Sequence, residues 1–138
     1  MVLIYPVIFT ATHDEKDTYL IEIPDINGMT EGYGLADAYH MAKDYIGCKF
    51  LEVKDDDIAP ASDITSLDAS KGMFAEAGDS FVSLVDLDLD AYRRATNNKA
   101  VRRNVSIPSW LNKAADDAGI NVSRVLQEAL MEKLQIEQ

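Results

Sequence analysis

The sequence predicts an α+β protein with two parts, an acidic amino-terminal body containing a small antiparallel sheet and a shorter carboxy-terminal module. Three observations lead to this fold class. β-rich segments separated by turn signals come first, a stretch with helical periodicity follows them, and the balance of charge changes sign along the chain. The 138 residues are enough for one ordinary domain or two small ones with a buried core.

Four strands are predicted in the first ninety residues. The segments 2–10 and 18–23 are rich in β-branched and aromatic residues, and a polar stretch between them is typical of a hairpin loop. A short third strand at about 29–33 follows the turn signal Asn27-Gly28. The fourth strand, over 80–89, is predicted from the alternation of apolar and polar residues.

One helix is predicted between the third and fourth strands, over about 35–52. Apolar residues recur there at helical spacing and are expected to face the sheet: Leu35, Ala38, Ala42, Tyr45 and Ile46. The region 53–79 lacks periodicity and is predicted to be a surface loop with at most one helical turn. Cys48, the single cysteine, excludes an internal disulfide, is consistent with a reducing cytosol, and is expected to be a small buried residue of the helix.

The charge distribution predicts an acidic body joined to an end that binds a polyanion. Residues 1–90 hold 19 acidic and 5 basic side chains, whereas residues 91–138 hold 5 acidic and 8 basic ones. The stretch 91–98 is polar with a weak helical tendency and is interpreted as a linker, which gives domains at 1–90 and 99–138. On charge alone, a solvated surface with chance clustering remains an alternative.

The carboxy-terminal module is predicted to contain a strand and two helices. Val101, Val105 and Ile107 share one parity of an extended segment, and Arg102, Asn104 and Ser106 share the other. Pro108 is expected in the first turn of a helix that ends at Gly119. Asn121 is expected to cap a second helix with a broad apolar stripe.

So short a module cannot bury its apolar surface alone, and a lone strand has an unpaired edge. A homodimer with two antiparallel strands resolves both problems, and the ribbon that it forms fits the major groove of DNA. Arg102, Asn104 and Ser106 are the candidate base contacts. The candidate phosphate contacts are the amides of Val122 and Ser123 and the side chains of Lys99 and Arg103.

This arrangement resembles the ribbon-helix-helix family of transcriptional repressors over roughly residues 99–135. The matching features are the strand VRRNVSIP, the helix ending at Ala118-Gly119 and the cap Asn121-Val122-Ser123 before VLQEALMEKL. The amino-terminal body is similar to the HicB antitoxin family. The residues that carry this second resemblance are Tyr5-Pro6, Pro24-Asp25, Gly28, Gly32, Ala36, Ala38 and Ala42.

The resemblance to HicB implies a partly RNase H-like domain that binds and inhibits a small HicA toxin, an mRNA-cleaving ribonuclease. It also implies that the carboxy-terminal domain represses its own operon at a palindromic operator, as a dimer or a tetramer. An acidic body suits an RNA-binding, basic partner through charge complementarity. The acidic residues and the open sheet edges are candidate toxin contacts only as classes, and the sequence leaves open whether the toxin strengthens or weakens repression.

Two other functions stay open, a metal-dependent nuclease and a repressor that senses a small effector. Asp86, Asp88 and Asp90 do not complete a calcium loop and are interpreted as the solvent face of the fourth strand. His13 and His40 have no nucleophile partner in a recognisable motif. We therefore expect no catalytic site, metal or cofactor. With no apolar run of spanning length and no leader, a cytoplasmic protein without membrane contact is expected.

Overall fold

The computed structural model describes residues 1–136. The polypeptide divides into two compact units, Met1–Lys99 and the residues from Ala100 onward. Within the described range, no helix is long and apolar enough to cross a membrane. The two units are described separately.

The amino-terminal unit is built on a four-stranded antiparallel sheet, as predicted. Its strands are β1 (Val2–Thr12), β2 (Thr18–Ile23), β3 (Gly28–Tyr33) and β4 (Gly78–Asp88), and their order across the sheet is β3-β2-β1-β4. β1 and β4 pair without a bulge, from Val2 opposite Asp88 to Thr12 opposite Gly78. The α+β class is thus confirmed for this unit, and β3 and β4 are the edges of the sheet.

The core lies between this sheet and the helix α1 (Leu35–Phe50). Buried side chains of alternate positions on β1 meet buried residues at helical spacing on α1: Leu3, Tyr5, Val7, Phe9, Ala38, Ala42, Ile46 and Phe50. Gly32 allows α1 to approach β3 closely, because a Cβ there would lie 2.5 Å from the Cα of Ala38. This packing fixes α1 on one face of the sheet.

The region between α1 and β4 is an irregular loop with short 3₁₀ turns at Asp55–Asp57, Ile64–Ser66, Ala69–Lys71 and Ala75–Ala77. Hydrogen bonds connect this loop to β2 and to the turn that follows it. The Ser62 amide donates to Asp25 at 2.8 Å, and the Met73 amide donates to Glu22 at 3.0 Å. The prediction of a surface loop is therefore confirmed, with more local turns than expected.

A second helix, α2 (Leu89–Thr96), corrects two predictions. The predicted linker over 91–98 is helical as far as Thr96 and packs on α1, because Leu89 is buried and the Tyr92 hydroxyl donates to Asp44 at 2.9 Å. Cys48, predicted to be buried, is exposed, with its Sγ 3.0 Å from the Tyr92 hydroxyl. The linker prediction fails because α2 is polar and its packing is not visible in local sequence, whereas Cys48 lies outside the buried face of α1 formed by Ala42, Ile46 and Phe50.

The carboxy-terminal unit contains α3 (Ser109–Asp117) and α4 (Val122–Leu134). Asn121 caps α4 as predicted, since its side chain accepts from the Arg124 amide at 3.2 Å. Pro108 lies at the N-cap of α3, one residue earlier than expected. Residues 97–108 have no regular secondary structure in the single chain, where no second strand is present to pair with them. The ribbon formed by two copies stays a prediction.

Candidate functional site

Residues 99–107, called the basic arm below, carry Lys99, Arg102 and Arg103 and no acidic residue. Part of the basic arm lies along the beginning of α4, where a groove of 580 Å³ separates the two segments. The residues that line this groove are Ala100, Val101, Arg102, Arg103, Ser123, Leu126, Gln127 and Leu130. Two of the arm's cations thus lie in the same groove as the first turn of α4.

The seven predicted DNA contacts are all exposed. Arg102, Arg103 and Ser123 share the groove, whereas Asn104, Ser106 and Val122 are not among its lining residues. Lys99 is the last residue of the amino-terminal unit, and the other six belong to the carboxy-terminal unit. Their side chains are therefore accessible to a ligand.

The start of α4 offers two backbone donors. The Arg124 amide donates to the side chain of Asn121 at 3.2 Å, and the Val125 amide donates to the carbonyl of Asn121 at 3.1 Å. Within residues 1–136, the amides of Val122 and Ser123 have no acceptor. Donors at the positive end of a helix dipole suit a phosphate oxygen.

The apolar side chains of the carboxy-terminal unit face solvent in the single chain. No residue from 100 to 136 is buried. Val101 is 88% exposed, Trp110 72% and Leu134 66%. The other exposed apolar residues are Val105, Ile107, Leu111, Ile120, Val122, Val125, Leu126 and Leu130. A contiguous unit without any buried residue needs a further surface to cover it.

The structural boundary at Lys99 changes the distribution of charge. The amino-terminal unit holds 19 acidic and 8 basic side chains, a net charge of −11, whereas the carboxy-terminal unit holds 5 of each. Arg93 belongs to the acidic unit, where it donates to backbone carbonyls at the end of α1. The basic arm therefore keeps three cations, Lys99, Arg102 and Arg103, without an acidic residue among them.

The aspartates near the end of β4 have structural partners. Asp86 and Asp88 are exposed on the strand, as predicted, but Asp90 lies in α2. A hydrogen bond from Tyr39, followed by the charge of Lys43 at 4.0 Å, holds the pKa of Asp86 below its usual value. Asp88 caps α2 through the Ala91 amide at 3.2 Å. In the described part of the chain, no three His, Cys, Asp or Glu side chains are grouped to hold a metal ion.

An apolar groove beside β4 was not predicted from the sequence. It has a volume of 640 Å³ and is lined by Phe9, Leu35, Ala36, Tyr39, Phe81 and Ser83. Phe81 is 41% exposed and stacks on Phe9, with 5.5 Å between the ring centroids. A signal was present in the segment SFVSLV, where apolar residues occupy both parities of one strand. This groove makes the β4 edge a second candidate site.

Comparisons with known proteins match both units. The family model for the HicB-like antitoxin of bacterial toxin-antitoxin systems matches residues 5–129. A solved toxin–antitoxin complex from Streptococcus pneumoniae contains a chain with 26% identity and a TM-score of 0.59, over 96% of this chain and 99% of that chain. The crystal structure of antitoxin HicB from Burkholderia pseudomallei has 22% identity and a TM-score of 0.45, over 96% and 97% of the two chains. No curated protein matches the chain.

Proposed function

The chain belongs to the HicB-like antitoxin family of bacterial toxin–antitoxin systems, and from this we propose that it neutralises a HicA-type ribonuclease and represses its own operon. The observation that carries the proposal is the family match over residues 5–129, which spans most of both units. In this proposal each unit has one task. The amino-terminal unit binds the toxin, and the carboxy-terminal unit binds operator DNA.

The charge of the amino-terminal unit supports toxin binding. A ribonuclease that holds mRNA needs cationic groups along its RNA-binding surface, because phosphates dominate such contacts. A unit with a net charge of −11 is electrostatically complementary to that surface. We infer that the antitoxin competes with RNA for the toxin. The similar chain from Streptococcus pneumoniae is described as part of a toxin–antitoxin complex, which accords with this task.

The exposed apolar face of the carboxy-terminal unit supports a homodimer. Val101, Val105 and Ile107 in the basic arm, together with Leu126 and Leu130 on α4, remain open to solvent in one chain. A second copy would cover these side chains and pair the two arms as antiparallel strands. This is the ribbon-helix-helix arrangement, which a single chain cannot form.

The groups around the basic arm support DNA binding by that dimer. In a paired ribbon, Arg102, Asn104 and Ser106 would face the major groove, where arginine reads guanine and asparagine reads adenine. Lys99 and Arg103, with the amides of Val122 and Ser123, would hold the phosphate backbone. The two-fold symmetry of a dimer implies a palindromic operator, and association of amino-terminal units would give a tetramer across two half-sites.

Inhibition of RNA cleavage tests the first task. The probe is the small basic toxin that we propose is encoded next to this chain's gene, mixed with RNA and increasing amounts of the purified full chain. We expect cleavage to stop near equimolar antitoxin, and Arg102→Ala, a change confined to the carboxy-terminal unit, to inhibit as well as wild type. Cleavage that continues in excess antitoxin would refute toxin neutralisation. Cleavage by the chain alone with magnesium would instead favour the metal-dependent nuclease.

A further inference from the structure

We propose that the outer edge of β4 binds an extended strand from the basic protein that the antitoxin neutralises, alongside Ser80–Leu84. The inference rests on the proposed function and adds the surface and the manner of binding. The added strand would pair with the backbone of β4 and place an apolar side chain in the groove next to Phe81. Three features of the amino-terminal unit support this site.

The first feature is a row of backbone groups without partners. The Asp86 amide points away from β1, because it donates to the Tyr39 hydroxyl at 3.4 Å. In an antiparallel pair the outward direction recurs at every second residue, so the amides of Leu84, Val82 and Ser80 also face outward. Within residues 1–136 none of these three amides has an acceptor. Their unpaired edge is a template for another strand.

The second feature is that the middle of β4 lacks several usual protections of an edge strand. β4 pairs with β1 over eleven residues, Gly78–Asp88, without a bulge, and its segment Ser80–Leu84 contains no charged residue and no proline. The other edge, β3, has six residues and includes Gly28 and Gly32. The amide of Tyr33 at that edge is already bound by Asp37 at 2.9 Å. β4 is therefore the better docking edge.

The third feature is exposed apolar surface on both sides of the same segment. Phe81 is 41% exposed on the side of α1, and Leu84, of the opposite parity, is 47% exposed. An added strand presents its side chains alternately to the two faces of a sheet, so it would cover both residues. The apolar groove beside Phe81 has room for a large side chain.

Charge identifies the occupant as a basic strand rather than a second copy of this chain. Asp79 and Asp86 lie on either side of the unpaired segment, and their side chains are 87% and 57% exposed. Antiparallel pairing of two β4 strands would bring together two amino-terminal units that each carry a net charge of −11, which is unfavourable. A strand with lysine or arginine beyond its apolar residues would be attracted at both ends.

A proline at an outward-facing amide tests the backbone contact. Val82→Pro removes one outward-facing amide donor of β4 and keeps the pairing with β1. Met29→Pro is the matched control on β3. The amide of Met29 also faces outward, because Met29 has the same parity on β3 as Tyr33, whose amide binds Asp37. Binding of the neighbouring basic protein would be measured by calorimetry with the full chain. We expect Val82→Pro to weaken binding about tenfold or more. Met29→Pro should stay within about twofold of wild type. Equal losses would overturn the β4 site.

Two substitutions of opposite charge at Leu84 test which kind of strand binds, and they do not depend on how well the proline variant folds. Leu84→Lys and Leu84→Glu are similar in length and differ in sign. A basic strand predicts weaker binding for Leu84→Lys than for Leu84→Glu. Equal affinities, or self-association in sedimentation that Leu84→Lys strengthens, would overturn the proposal while toxin neutralisation stands. A wild-type chain that does not bind the basic protein would overturn the proposed function as well.

Discussion

Arg93 stabilises the end of α1 through its guanidinium group. Its Nη2 donates to the carbonyls of Phe50 and Val53, at 3.1 and 2.6 Å, and its Nε donates to the Leu51 carbonyl at 3.2 Å. Its Nη1 lies 2.9 Å from a carboxylate oxygen of Asp55. Carbonyls at the end of a helix lack partners within the helix, and a cation there also interacts favourably with the helix dipole.

Replacing Arg93 by alanine should therefore lower the free energy of unfolding by about 2 kcal/mol, since several charge-assisted bonds are lost together. Arg94→Ala, which removes the same charge from an exposed neighbour, should change it by no more than about 0.5 kcal/mol. Urea denaturation followed by circular dichroism measures both values. Equal effects of the two substitutions would show that the bonds of Arg93 do not hold α1.

Tyr92 makes stability sensitive to high pH. Burial, followed by the hydrogen bonds with Cys48 and Asp44, raises the pKa of its phenol. Because the folded chain favours the neutral phenol, this contribution is present below the pKa of the unfolded chain, about 10, and is lost as the pH rises above it. We expect Tyr92→Phe to lose less stability than wild type between about pH 9 and pH 11. Urea denaturation at each pH measures the free energy of unfolding, and Tyr19→Phe serves as the control for a lost hydroxyl. If the free energy of unfolding falls with pH equally for Tyr92→Phe and wild type, the prediction is contradicted.

At the scale of elements, the strands and α1 were predictable because their apolar residues repeat with the period of the structure that they form. Phe9 and Ile46 are buried at such positions. The packing of α2 on α1 was not predictable, because α2 is polar and the contacts of Tyr92 and Arg93 join residues more than forty positions apart. Local periodicity carries no information about such contacts.

The candidate sites likewise differ in how far they could be predicted from the sequence. The cap by Asn121 follows from a capping rule that involves only a few neighbouring residues. The groove beside Phe81 depends on Phe9 and Leu35, which come from two other elements. Such a site requires the order of the strands across the sheet, and this order is set by long-range pairing.

The apolar stripe of α4 gives a prediction about assembly. Leu126→Glu would place an unpaired charge in the proposed dimer interface and should weaken dimerisation about a hundredfold or more. Gln127→Glu adds the same charge at the next position, which is polar already, and should leave the dimer nearly unchanged. Sedimentation velocity over a range of concentrations measures both. A Leu126→Glu chain that dimerises like wild type would contradict the proposed interface.

At the scale of the whole molecule, we assign separate tasks to two units of different charge. The amino-terminal unit has a net charge of −11, and the carboxy-terminal unit has none but concentrates cations in the basic arm. Substitutions in one unit should therefore leave the task of the other intact. Binding to DNA should weaken steeply with salt, because each phosphate contact releases counterions.

Fluorescence anisotropy with the DNA upstream of this chain's own gene, over a series of salt concentrations, tests the division of tasks most directly. The full chain would be compared with Arg102→Ala and Asn104→Ala, and all three would also be assayed for inhibition of the neighbouring ribonuclease. We expect the wild type to prefer this DNA over an unrelated duplex, each substitution to cost about 1–3 kcal/mol of binding, and inhibition to remain unchanged. A wild type without such a preference, or substitutions that leave affinity unaltered, would contradict DNA reading by the basic arm.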